Sequence, residues 1–125
     1  MSPKKKVLLL DDEPIVGERL APALEKLGFH VEAFTESRAA VQRLLEEHFD
    51  ILVTDLKMKK PDGLEVMDFV KEHSPSTHVV IITGFATVDT ARETLKGGAA
   101  DFIAKPFKIR DLCDLIVKLA SSEDV

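Results

Sequence analysis

No apolar run in this 125-residue chain approaches the ~18 residues of a membrane span, and "VLLL" (7–10) is too short for the apolar core of a secretory signal. Cysteine is nearly absent. Cys113 stands alone, which excludes an intrachain disulfide and suits a reducing compartment. Basic character is scarce too: 17 Lys and Arg face 22 Asp and Glu, for a net charge of −5. The one basic run, "KKK" (4–6), reads as a solubilising flank, so neither a phosphate-binding face for nucleic acid nor a membrane contact is expected. Internal repeats, low-complexity tracts and linkers are missing. The expectation is a single domain over 1–125 in a soluble, cytoplasmic protein, ordered over about 5–120 with 121–125 as a frayed tail.

What is present is an alternation. Short apolar runs, "VLLL" (7–10), "HVEAF" (30–34), "ILV" (51–53), "VVII" (79–82) and "DFIA" (101–104), are separated by segments of helical period. Runs apolar on both faces suit parallel strands covered on both sides, and the alternating second run reads as an edge strand. The first helix is expected over 14–27, opening at Pro14, kinked at Pro22 and stopping at Gly28. The second is expected over 37–48, with Ser37 as N-cap and Ala40, Val41, Leu44 and Leu45 on its inner face. The third follows "PDG" (61–63). The fourth covers 86–96 with Val88, Ala91 and Leu95 as its apolar positions, and the fifth covers 108–120. Five such units imply a doubly wound α/β fold with a five-stranded parallel sheet and five helices.

Polar residues fall at the carboxyl ends of these strands: Asp11 and Asp12 after the first, Asp55 after the third, Thr83 after the fourth, Lys105 after the fifth. That edge is where open α/β sheets bind ligands. Each residue alone has an ordinary reading as a cap, a turn residue or a solvated charge. Their joint complementarity argues otherwise. If the first and third strands are neighbours, three carboxylates share one pocket and resist ionising without a cation. All-oxygen donors select a hard ion, Mg²⁺ in preference to zinc. A metal-held carboxylate beside a lysine and a hydroxyl can accept a phosphoryl group.

The fragments "DDE" (11–13), "VTDLKM" (53–58), "IITG" (81–84) and "DFIAKPF" (101–107), in this order and spacing, resemble the receiver domain of two-component response regulators over essentially the whole chain. The resemblance implies the flavodoxin-like strand order 2-1-3-4-5. It makes Asp55 the phospho-acceptor, Thr83 the switch hydroxyl and Lys105 the phosphate-contacting lysine. Asp11 and Asp12 become the metal-binding pair, Asp12 the more direct ligand, with Asp55 and the backbone carbonyl of Lys57 completing the Mg²⁺ site. Glu13 is assigned to the first turn of the following helix instead. The resemblance also implies a cis Lys105–Pro106 peptide and makes Phe102 the aromatic that follows Thr83. The implied partner is a histidine kinase or histidine phosphotransfer protein, and the implied output is a change in the surface of the fourth helix, fifth strand and fifth helix. That surface would control an effector, transcription among the outputs, or form a homodimer. Leu115 and Leu119 read either as a broad core face or as part of such a partner surface.

Two departures stand out. Lys59 occupies the position where members usually have proline, with Pro61 two further on, so "KMKKPDG" (57–63) is unusually basic. Phe102 stands where many members have tyrosine. Lys57 and Phe85 hold the positions through which the family tunes phosphoryl lifetime, and an apolar Phe85 predicts slow self-dephosphorylation. The competing classes are an aspartate-nucleophile phosphatase and a flavodoxin-like cofactor binder. The first wants an aspartate two residues after its nucleophile, which "DDEP" (11–14) lacks, and three acids on one rim would repel a flavin phosphate.

Overall fold

The computed structural model describes residues 4–84 and 86–122. Phe85 and residues 123–125, most of the predicted tail, lie outside the described residues. The elements alternate without exception: β1 (Lys6–Leu10), α1 (Pro14–Lys26), β2 (His30–Phe34), α2 (Ser37–Glu46), β3 (Ile51–Asp55), α3 (Gly63–His73), β4 (His78–Thr83), α4 (Val88–Lys96), β5 (Asp101–Ala104) and α5 (Ile109–Ser122). All four strand pairings are parallel, in the order β2-β1-β3-β4-β5. This is the doubly wound sheet the sequence predicts, with β2 at an edge.

The pleat divides the core in two. Val7, Leu9, Ile51, Val53, Val80 and Ile82 face α1 and α5, where Leu20, Leu24, Leu112 and Ile116 meet them. Leu8, Leu10, Leu52, Val79 and Ile81 face the other way, onto Ala40 of α2 and Val66, Met67 and Val70 of α3. Both faces of β1, β3 and β4 are therefore covered, which explains their unbroken apolar runs. Leu115 and Leu119 are partly buried and pack against the α1/α5 core, as the first of their two readings expects. Among the described residues, no helix is long and apolar enough to cross a membrane.

Several local expectations change. Helix α1 contains Pro22 as expected and ends at Lys26, one residue early. Ser37 is not a cap: Glu36 occupies that position, and the buried Ser37 hydroxyl donates to the Lys59 carbonyl (3.3 Å). Leu45 is exposed, because Ala40, Val41 and Leu44 already fill the space beneath α2. Helix α4 begins two residues late, at Val88, behind a reciprocal cap of Thr87 and Thr90. Its face is also turned. Thr94 is its buried residue, while Val88 and Leu95 point to solvent at 73% and 47% exposure. The Thr94 hydroxyl donates to the Ala91 carbonyl (3.0 Å), which lets a polar side chain sit inside. Helix α5 continues to Ser122, past its predicted end.

Candidate functional site

Strand alternation continues past the ends of β1 and β5, because the Asp11 N–H donates to Phe34 O (3.1 Å) and the Lys105 N–H to Thr83 O (2.8 Å). Asp11, Asp55 and Lys105 therefore inherit the face of Leu9, Val53 and Ile103, on the α1/α5 side. Thr83 inherits the opposite face, shared with Ile81 and with Phe102, which pairs with Ile81 across β4–β5. Thr83 is wholly buried, one residue beyond Ile82, the partner of Asp55.

The structure brings Asp11, Asp12, Asp55 and Lys105 together. Carboxylate oxygens from the three aspartates all lie within 4.8 Å of one another. The Lys105 ammonium is 2.7 Å from Asp11 Oδ2, 2.9 Å from Asp55 Oδ2 and 3.0 Å from Glu13 Oε1. Burial pushes the Asp11 carboxyl up from its ordinary range, against the opposing pull of Lys105 and of the Glu13 N–H, which donates to Asp11 Oδ1 (2.9 Å). Burial works against the Lys105 charge as well, but Asp11, Asp55 and Glu13 outweigh it and hold the ammonium above its ordinary value.

Asp55 is held from several directions. Its Oδ1 accepts the Lys57 N–H (3.3 Å) and its carbonyl accepts the Thr54 hydroxyl (3.0 Å). Gly63 presses on the same carbonyl: a Cβ there would sit 2.2 Å from Asp55 O and 2.8 Å from Leu56 Cα. The reading of "PDG" as a helix start is right as far as it goes, since Asp62 caps α3 with Glu65 in a reciprocal box. What one sequence does not reveal is that this helix begins against the backbone of Asp55. Glu13 also differs from expectation. It is the N-cap residue of α1, makes no side-chain cap bond, and turns to Lys105 instead.

The carboxylates fit a hard cation. Buried Asp11 Oδ2 meets the Lys105 ammonium (2.7 Å), and every side-chain donor of the three aspartates is oxygen. An open cleft of about 680 Å³ adjoins Asp12, walled by Ser37, Arg38, Met58 and Lys59. Lys105–Pro106 is cis as the resemblance implies, and Lys60–Pro61 is cis as well.

Comparison with known proteins agrees with this architecture. The family described as "Response regulator receiver domain" matches residues 7–117. The response regulator receiver protein CpdR of Brucella abortus is 37% identical over 115 residues, 92% of this chain and 96% of CpdR. The regulatory protein AtoC of Escherichia coli is 32% identical over 120 residues, but this chain, 96% covered, spans only 26% of AtoC. The solution structure of the beryllofluoride-activated NtrC4 receiver domain dimer superposes with a TM-score of 0.86 at 37% identity, covering 94% of this chain and 97% of that one. With its fold, its strand order and this match over most of its length, the chain belongs to the response regulator receiver domain family of two-component signalling proteins.

Proposed function

We propose that this domain accepts a phosphoryl group on Asp55 from the phosphohistidine of a histidine kinase or histidine phosphotransfer protein, with Mg²⁺ bound, and passes the signal on through its surface. The observation that carries the reading is the pocket itself: a buried carboxylate, Asp55, within reach of a lysine and two further aspartates.

An Asp55 carboxylate oxygen attacks phosphorus. A P–O bond forms as the P–N bond breaks, and the leaving imidazole keeps the electron pair and takes a proton from solvent. Asp11, Asp12, Asp55 and the Lys57 carbonyl would hold Mg²⁺, which supplies compensation for charge on the transferring oxygens. Lys105, already 2.9 Å from Asp55 Oδ2, neutralises the same charge beside the acceptor. The Lys57 N–H orients the acceptor.

The new group adds about −1.5 to −2 charges. Thr83 is drawn toward it, and Phe102, on the same face of the adjacent strand, moves into the space vacated. Ligation shifts a pre-existing equilibrium, so the unphosphorylated domain samples the active form. The output surface comprises α4, β5 and α5, where Val88, Leu95 and Val117 are exposed. The NtrC4 receiver, solved as a dimer, supports self-association of this domain, for which the same surface is the proposed contact, and control of transcription is one output it would serve.

The test is acid-labile labelling by acetyl phosphate with Mg²⁺, compared with Asp55→Asn. Labelling of the native protein alone supports the proposal, and equal labelling of both refutes it.

A further inference from the structure

Lys105 is shared among more carboxylates than a phosphate-contacting lysine needs. Its ammonium touches Asp11 (2.7 Å) and Asp55 (2.9 Å), two of the three acids that could hold a cation. It also touches Glu13 (3.0 Å), which is not one of those three. A divalent ion on Asp11 and Asp55 would therefore face an ammonium on the same two carboxylates, and like charges so close repel strongly. The ammonium must give up Asp11 when the ion enters. Among the described residues, its remaining carboxylate partner off the ion is Glu13.

We propose that Glu13 is the positioning residue for Lys105: it receives the ammonium that the cation displaces from Asp11 and keeps it at the pocket rim beside Asp55. This inference rests on the proposed Mg²⁺-dependent phosphorylation. Two features make Glu13 suited to the role. Its backbone N–H holds Asp11 Oδ1 at 2.9 Å, so its placement is tied to the pocket, and its side chain is 62% exposed, so it can accept charge without desolvation. The carboxylate makes no cap bond at its own helix terminus, which leaves its oxygens available to Lys105. Substitution to Gln keeps the backbone contact and removes only the charge.

The experiment is a Mg²⁺ titration of the full chain by amide NMR shifts, in native, Glu13→Gln, Lys105→Met and doubly substituted proteins. Glu13→Gln is expected to weaken Mg²⁺ about two- to five-fold, the scale of an exposed ion pair. Lys105→Met is expected to tighten it, since the internal competitor is gone. In the Lys105→Met background, the Glu13→Gln effect should shrink at least about two-fold. An equal loss in both backgrounds means that Glu13 acts only as a distant charge and overturns the inference while leaving the phosphorylation reading intact. No effect of Glu13→Gln does the same. A native protein that takes up no Mg²⁺ overturns both. Should Lys105→Met fail to fold, the ¹H–¹⁵N signal of the Lys105 ammonium decides. It should persist in Mg²⁺-loaded native protein and vanish by exchange in Glu13→Gln, and identical signals in the two proteins overturn the inference.

Discussion

Replacing Gly63 with alanine should damage the acceptor site without touching any side chain in it. The added Cβ would lie 2.2 Å from the Asp55 carbonyl oxygen and 2.8 Å from Leu56 Cα, and both obstacles are backbone atoms that cannot swing away. Ordinary contact requires roughly 1 Å or more of separation to be gained, and overpacking of that kind costs about 1–3 kcal/mol. The Gly63 N–H donates to Leu56 O (3.0 Å), and straining that bond adds about 0.5–1.5 kcal/mol. A stiffer unfolded chain returns about 0.4–1 kcal/mol. The net expectation is a loss of about 0.5–4 kcal/mol, which lowers the urea midpoint by on the order of 1 M. Because the displaced atoms belong to Asp55, labelling by acetyl phosphate should slow by at least about ten-fold, as misplacement by an ångström costs ~10²-fold in positioned reactions. Gly84→Ala is the stability control, since a Cβ there meets nothing within 4 Å. A Gly63→Ala protein that unfolds at the native midpoint and labels at the native rate would refute the close-approach argument.

Three further outcomes follow from other parts of the molecule. Glu32 on β2 is held by Arg43 of α2 through two bonds (2.7 and 2.9 Å), which lower its pKa from 4.5 to about 2. A depressed acid contributes stability that is complete above its unfolded pKa and is lost as pH falls from about 4.5 toward 2. Arg43→Met should therefore cost stability at pH 7 and progressively less below pH 4.5, and a difference in urea midpoint that is constant with pH would contradict this. Thr77→Val should destabilise by about 1–3 kcal/mol, because the buried Thr77 hydroxyl is the donor to Phe49 O (2.6 Å) and its removal leaves that carbonyl without it; an unchanged urea midpoint counts against it. Leu20→Ala empties a fully buried position between α1 and the sheet and should cost about 2–5 kcal/mol by the same assay.

Legibility followed burial pattern. The three central strands were plain in the sequence because two covered faces demand unbroken apolar runs such as "VLLL" and "VVII". The residues of the carboxylate edge were equally plain, since Asp11, Asp55 and Lys105 each interrupt such a run at its end. Helix α4 was misread because periodicity alone cannot say which side faces the sheet. Val88, Ala91 and Leu95 form an apolar stripe, yet the packed helix buries Thr94 and leaves Ala91 half-buried, with its C-cap Gly97 close enough to the sheet side that a Cβ there would meet the Met67 side chain at 2.8 Å. Exposed Val88 and Leu95 are then part of the surface proposed for output.

By itself, then, the sequence determined the alternation of elements, the two-sided sheet and the identity of the polar residues at its carboxyl edge, because these depend on local period and on which residue ends each run. Only the tertiary structure decided how those residues meet. The strand order put Asp11 beside Asp55, the pleat put both on the Lys105 face and Thr83 on the other, and the packing of α1 and α3 brought Glu13 to Lys105 and Gly63 against Asp55. Those are contacts between residues as many as 92 positions apart, set by chain crossing and close packing, and no local pattern encodes them.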